Sequence, residues 1–322
     1  MLRHIRKLTT IFDILANPRS IPIIPFVYTS VGIGCKPKNS DLCTLPMLKP
    51  PLLSIQCGED ALFTRPDSLG VADGVGGWNG VVGANAALYS LNLMHYCSLS
   101  LKKFDMIDED DIPQADDEED FENIDAKAVL AEAYTMMMTE NKSVLGSTTA
   151  LICILRGREL RIAYIGDCGV LIVRSGKCIF RSEEQQHSFN FPVQLGTNSR
   201  TSPADALAFS VPVMQGDVVI CGSDGLFDNV YDSEIVQLAA DNAGDAQKIC
   251  DAILKRAKQV SEDISGQSPF QDRAVTEGFY YQGGKIDDIS VVVGIVGYDR
   301  LMSECRKTRQ IAGDTIMDNA RL

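Results

Sequence analysis

No stretch of the 322-residue chain stays apolar for the roughly 18 to 20 residues that a membrane-spanning helix needs. The nearest candidate, IPIIPFVYTSVGIG at residues 21–34, is short and broken by Pro22 and Pro25. Positive charge is also scarce: 30 Lys and Arg stand against 43 Asp and Glu, a net charge of −13. So acidic a chain disfavours nucleic acid or an anionic lipid surface as partner. Neither GxGxxG nor GxxxxGKS/T occurs, so no phosphate-cradling nucleotide loop is expected. The ten cysteines form no CxxC pair and no Cys/His ligand spacing, which leaves no zinc site and no disulfide framework in view. Cys153, Cys168, Cys178 and Cys221 lie in or beside strand-like runs and read as small buried hydrophobes in a reducing compartment.

What is present is a core. Apolar residues make up 45% of the chain, enough for one large domain or two small ones. The first residues, MLRHIRKLTTIFDIL, are basic and free of acid before Asp13, with Leu2, Ile5, Leu8, Phe12 and Leu15 at helical spacing. Such a start resembles a mitochondrial targeting peptide; an ordinary surface helix is the alternative. Residues 1–50, rich in Pro and Gly beyond the basic start, read as leader and linker. A domain then spans 51–298, and 299–322 form a charged, weakly patterned tail. The dense acidic run at 105–123 reads as a solvated loop, since it lacks the ordered Asp/Gly/Glu spacing of a calcium site.

Within the domain, residues 83–104 and 124–142 carry helical patterning, and Met136, Met137 and Met138 read as packing. From residue 147 the texture changes to short β-rich runs separated by RGR, GDCG and RSGK, the marks of an antiparallel meander. Residues 232–263 read as two helices split near Gly244, and KIDDISVVVGIV closes the domain as a strand. Meanders interrupted by helices argue an α+β fold with antiparallel sheets rather than a doubly wound one.

Four aspartates share a context. Asp60 follows Glu59 in CGEDALF, Asp73 sits in VADGVGG, Asp224 in VVICGSDGLFDN, and Asp287 in KIDDISVVV. Each stands at the end of an apolar strand beside a turn. Asp73 and Asp224 are each followed by Gly, which allows close backbone approach and a carbonyl ligand. Asp-Gly at a strand end is also ordinary turn chemistry. If the four converge, a cation must lie between them, and an oxygen-only donor set favours Mg²⁺ or Mn²⁺ over Zn²⁺. Two such ions can hold a bridging hydroxide in line with a phosphoryl group.

The ordered series GEDA, VADGVGGW, GSTTA, IGDCG, GSDGLFDN and DDIS resembles the signature of the metal-dependent protein phosphatase 2C family, over roughly residues 52–296. RSEEQQHSFNFPVQLG, SPF and GGKIDDIS resemble the branch with mitochondrial members. The resemblance implies two packed antiparallel sheets flanked by helices, a four-layer sandwich, with a two-ion Mn²⁺ or Mg²⁺ centre at one edge. It makes Asp60, Asp73, Asp224 and Asp287 the ligating carboxylates, Gly74 a carbonyl ligand and Glu59 a supporting acid. It further implies hydrolysis of phosphoserine and phosphothreonine in proteins of the mitochondrial matrix, those of metabolism and coenzyme Q biosynthesis included. Two positions depart from the pattern: Val75 stands where many relatives have a proton-donating His, and Ile55 where many have a phosphate-binding Arg. His187 in EEQQHSF is either a substitute acid or a turn residue, Asp167 either shapes a turn or touches the metal shell, and Trp78 either lines the cleft or anchors packing. The departures leave open an inactive, phosphoprotein-binding relative; hydrolysis of a small phosphoester is a third reading.

Overall fold

The structure, a computed structural model, describes residues 26–38, 52–78, 80–103, 123–140 and 144–298. The described residues fall in one compact unit, Phe26–Tyr298. In chain order the strands are β1 (Phe26–Lys36), β2 (Ile55–Cys57), β3 (Asp60–Thr64), β4 (Ser68–Ala72), β5 (Ser147–Thr148), β6 (Ala150–Arg156), β7 (Glu159–Ile165), β8 (Gly169–Arg174), β9 (Lys177–Arg181), β10 (Gln186–Ser188), β11 (Phe191–Pro192), β12 (Leu195–Gly196), β13 (Leu207–Pro212), β14 (Val218–Gly222) and β15 (Ile289–Tyr298). The helices are α1 (Ala86–Lys102), α2 (Ala126–Glu140), α3 (Asp224–Phe227), α4 (Asp232–Asp241), α5 (Ala246–Ser261) and α6 (Pro269–Thr276).

Two antiparallel sheets carry the fold, one ordered β1-β15-β14-β8-β9 and the other β13-β7-β6-β4-β3-β2. Their facing sides meet in a core of Leu62, Leu69, Val71, Leu151, Ile162, Tyr164, Val170, Ile172, Val219 and Val292. The outer face of the six-stranded sheet is covered by α1 and α2, through Tyr89, Leu93, Met94, Leu130 and Ala133. The outer face of the five-stranded sheet is covered by α4 and α5, through Ile235, Ala239, Ile249 and Ile253. The result is the expected α+β sandwich of four layers. VVICG, and ALICILR up to its final Arg156, are apolar because both faces of each sheet are covered.

The helices expected from pattern are there, with caps that explain their starts. Asn85 accepts from the Leu88 N–H at the head of α1, and Asp245 accepts from the Lys248 N–H at the head of α5. Met137 is buried under α1, while the Met138 thioether meets the Tyr89 hydroxyl and the Met136 thioether the Ser100 hydroxyl.

The linker reading does not hold for residues 26–36. They form β1, which pairs with β15 from Phe26↔Tyr298 to Lys36↔Ile289, with an irregularity at Tyr28/Ser30. The glycines that made this stretch look like linker have a packing role. A Cβ at Gly32 would strike the backbone carbonyl of Ala246, so helix α5 can lie across β1 only where the side chain is missing. The cysteines also differ from expectation. Cys35 and Cys57 form a disulfide between β1 and β2, with Cα atoms 5.7 Å apart. Cys153, Cys168 and Cys221 are buried free thiols, whereas Cys178 is exposed. The expectations for the leader, the acidic residues 105–122 and the tail lie outside the described residues.

Leu151 on β6 is fully buried in the core between the sheets. Leu151→Ala should lower stability by about 2–5 kcal/mol through lost apolar contact and a residual cavity. A shift in the urea midpoint at unchanged m-value would report it.

Candidate metal centre

Strand order brings the four aspartates together. β3 and β4 are antiparallel neighbours with Ala61 opposite Ala72, so the start of β3 and the end of β4 lie side by side. Asp60 is the first residue of β3 and Asp73 directly follows β4. In the other sheet Gly222 of β14 faces Val291 of β15. Asp224 follows β14 and opens α3, and Asp287 precedes β15. Because β15 packs against β3 and β4, the two pairs of strand ends share one edge of the sandwich.

Backbone contacts hold the loops between them. The Asp73 carbonyl accepts from the Thr149 N–H at 2.9 Å and the Thr148 hydroxyl at 2.8 Å, while the Asp73 N–H donates to Thr149 Oγ1 at 3.0 Å. The GSTTA motif therefore buttresses VADG. The Glu59 carbonyl accepts from the Gly74 N–H at 3.1 Å and from Ser90 Oγ at 2.6 Å. A Cβ on Gly74 would lie 2.5 Å from the Glu59 carbonyl oxygen and 2.6 Å from that of Ala86, so this position requires glycine. Asp288, fully enclosed, accepts from the Glu59 N–H at 2.9 Å and from the Lys38 N–H at 2.7 Å. It clips the start of β3 to the end of the β1 segment.

The electrostatics match a site built for cations. Burial first, then Asp288, pushes the Asp60 carboxyl well above the ordinary range, with a partial offset from Ser223. Burial, then Asp224 and Asp60, raises Asp73 in the same way. Asp287 is raised by burial and by Asp224, against the pull of Lys285 and Lys38. Asp224 is the exception. Burial opposes its charge, but the Lys285 ammonium and a hydrogen bond from the Asp73 carboxyl hold it low. Within this coupled pair burial and like charge push the Asp73 carboxyl up while Asp224 is the member held low. Asp167 in IGDCG is buried beside the same cluster and is raised by burial, Asp224 and Asp228.

Two ammonium groups supply the positive charge. Lys285 Nζ lies 2.5 Å from Asp224, 2.7 Å from Asp228 and 3.3 Å from Asp287. Lys38 Nζ lies 3.1 Å from Glu59, 3.2 Å from Asp287 and 3.7 Å from Asp288. Asn229 positions Lys285, accepting from its N–H at 2.9 Å and donating to its carbonyl at 2.9 Å. Asp228, which also pairs with Arg273, is pushed up to about 7 by burial, with Lys285 offsetting part of the cost.

Among the described residues no group of three or more acidic, histidine or cysteine side chains stands ready to hold a metal ion. The donor set nevertheless fits hard cations. Both oxygens of Asp60, Oδ1 of Asp224 and Oδ1 of Asp167 are buried without a partner at hydrogen-bond geometry. Orphaned carboxylate oxygens on this scale are costly unless a cation meets them. His187 lies elsewhere in character: it is exposed on β10, its ring against Phe191 at 5.6 Å. Trp78 anchors its loop, its indole N–H donating to Ser147 Oγ at 2.6 Å, which donates to Gln194 at 2.6 Å. Val75 places an apolar side chain beside Gly74 and donates its N–H to the Ser147 carbonyl. Sequence reasoning missed Lys38, Lys285, Asp228 and the clipping role of Asp288. The GGK before DDIS was the available signal for Lys285; nothing marked Lys38 beforehand.

The family model for stage II sporulation protein E matches residues 114–276. "Probable protein phosphatase 2C 80" of Arabidopsis thaliana is 37% identical over 249 residues, 74% of this chain and 54% of that protein. "Protein phosphatase PTC7 homolog" of Homo sapiens is 34% identical over 257 residues, covering 74% of this chain and 79% of that one. The chain spans about half the length of the first of these and of two further plant relatives. The solved photosystem II phosphatase PBCP superposes with a TM-score of 0.66 at 29% identity, over 83% of this chain and 98% of that one. The catalytic domain of the phosphatase PstP, in complex with two manganese ions, superposes with a TM-score of 0.52 at 16% identity, over 84% and 99% of the two chains, a likeness of fold.

Mn²⁺ should raise the melting temperature, by an increment equivalent to about 2.7 kcal/mol at a hundredfold excess over its dissociation constant. Asp60→Asn should melt no lower than the wild type without metal and should lose the Mn²⁺-induced shift. A full shift in the variant, seen by calorimetry, would remove Asp60 from the ligand set.

Proposed function

Because the chain belongs to the protein phosphatase 2C family, we propose that it is a manganese- or magnesium-dependent phosphatase of phosphoserine and phosphothreonine in proteins. The observation that carries this reading is the convergence of Asp60, Asp73, Asp224 and Asp287 at one edge of the sandwich, with buried oxygens of Asp60 and Asp224 that lack partners. Asp60, Asp73, Asp224, Asp287 and the Gly74 carbonyl would hold the ions, with Glu59 behind them. When bound, the ions supply an activated water and neutralise charge on the phosphoryl group.

The chain's own residues do the rest. Thr148 and Thr149 fix the Asp73 backbone, and Asp288 fixes that of Glu59, so the donors are oriented before any ligand arrives. Lys285 holds Asp224 ionised and therefore ready as a donor. Val75 offers no proton, so the leaving alkoxide takes its proton from solvent or from another group; His187 would fill that role only by approaching from its exposed strand. A phosphate-binding protein without turnover is the second reading, favoured by the two lysines that already balance the carboxylates. The basic amphipathic start supports a location in the mitochondrial matrix, and the family resemblance supports phosphorylated metabolic proteins as substrates, coenzyme Q biosynthesis among them.

Full-length protein with Mn²⁺ should release phosphate from a phosphoserine peptide and stop with EDTA. Asp224→Asn should lower the rate by at least about a hundredfold while circular dichroism stays unchanged. An inactive wild type that still binds Mn²⁺ would favour the binding protein. Separately, removing residues 1–20 should leave the protein in the cytosol, as fractionation would show; continued import would refute the leader.

A further inference from the structure

Lys38 is an unusual component of the site. It does not lie in the strands that deliver the carboxylates but just beyond the end of β1, an edge strand of the five-stranded sheet and the neighbour of β15. Three features hold it there. β1 is in register with β15 up to Lys36↔Ile289, the Cys35–Cys57 disulfide ties its end to β2, and the Lys38 N–H donates to Asp288 at 2.7 Å. The backbone is thereby fixed while the side chain keeps a solvent-facing aspect, 32% exposed against 15% for Lys285. Lys285 is enclosed by Asp224, Asp228 and Asp287 and lies 5.1 Å from the Phe270 ring centre, which commits its charge to the protein.

Lys38 is less committed. Of its three acidic neighbours, Asp288 spends both oxygens on backbone N–H groups of Lys38 and Glu59, and Asp287 is one of the carboxylates assigned to the ions. With Asp287 engaged by a cation, Glu59 is the acid left to Lys38, and an ammonium has three N–H donors. The position is apt as well. β2 holds Ile55, 46% exposed, where a cation was expected and is lacking, and the disulfide brings the end of β1 against that strand.

We propose that Lys38 is the phosphate-binding cation of this site, donating to the phosphoryl oxygens of the substrate once divalent ions occupy the aspartates. The inference rests on the phosphatase reading and deepens it. It assigns to the β1 segment, rather than to β2, the task of holding the incoming dianion.

The test compares full-length wild type, Lys38→Gln and Lys38→Arg, all loaded with Mn²⁺. Binding of inorganic phosphate, followed by calorimetry, should weaken about tenfold to a hundredfold in Lys38→Gln and recover most of that loss in Lys38→Arg. With a phosphoserine peptide, KM should rise by a similar factor while kcat stays within about threefold. Mn²⁺ titration of each variant serves as the control for the carboxylates. Phosphate affinity and KM within twofold of wild type in Lys38→Gln would overturn the proposal. So would tighter Mn²⁺ binding with phosphate affinity unchanged, which would make Lys38 a counterion only. Failure of the phosphatase reading is distinguishable: wild type would then show no turnover, whereas the phosphate titration still reports on Lys38.

Discussion

Like charges confined at a sheet edge are the constraint around which this molecule is organised. Two strand ends from each sheet deliver aspartates into a region shielded from water, where a pair of unit charges 4 Å apart at an effective dielectric of 20 repels by about 4 kcal/mol. The protein meets that cost in three ways. Asp73 is pushed toward its neutral form while Asp224 is held low, Lys285 and Lys38 bring in positive charge, and the surrounding backbone is fastened so that the carboxylates cannot relax away. Orphaned oxygens on Asp60 and Asp224 remain, and they are the part of the balance that a divalent cation is suited to complete.

The fastening explains motifs that carry no ligand of their own. GSTTA spends its threonines on the Asp73 backbone, and Asn229 of GSDGLFDN spends its side-chain amide on the backbone around Lys285. Asp288, the second acid of DDIS, joins the segments before and after residues 39–51 through two backbone amides. Each is a polar group whose function is to fix a neighbour's direction, which is the usual requirement of a site that depends on preorganised charge.

The α+β class and the positions of α1, α2, α4 and α5 were legible because long helices and apolar strands have strong periods and clear caps. The four aspartates were legible because a strand end beside a turn is a local pattern. Their convergence was not, since it depends on which strands become neighbours. β1 escaped for a different reason. Its glycines and the nearby prolines mimic linker composition, and only the helix lying across Gly32 reveals why they are there. The α6 helix starts with Ser268 as cap and Pro269 in its first turn, a signal that was present but short. Lys38 could not be read at all, because a lysine in KPKNSD has no periodicity and gains meaning from chain segments far away in sequence.

The pairing of β1 with β15 has a consequence for how the molecule comes into being. The strand that a ribosome makes earliest in this unit finds its partner in the strand made last, so the five-stranded sheet stays open for nearly the whole of synthesis. Until then β1 lacks the strand it pairs with, and the lysine that follows it has Glu59 to meet but neither Asp287 nor Asp288. Completion of the charged edge is therefore coupled to closure of the sheet: the emerging chain acquires its assembled site in the same event that seals its architecture.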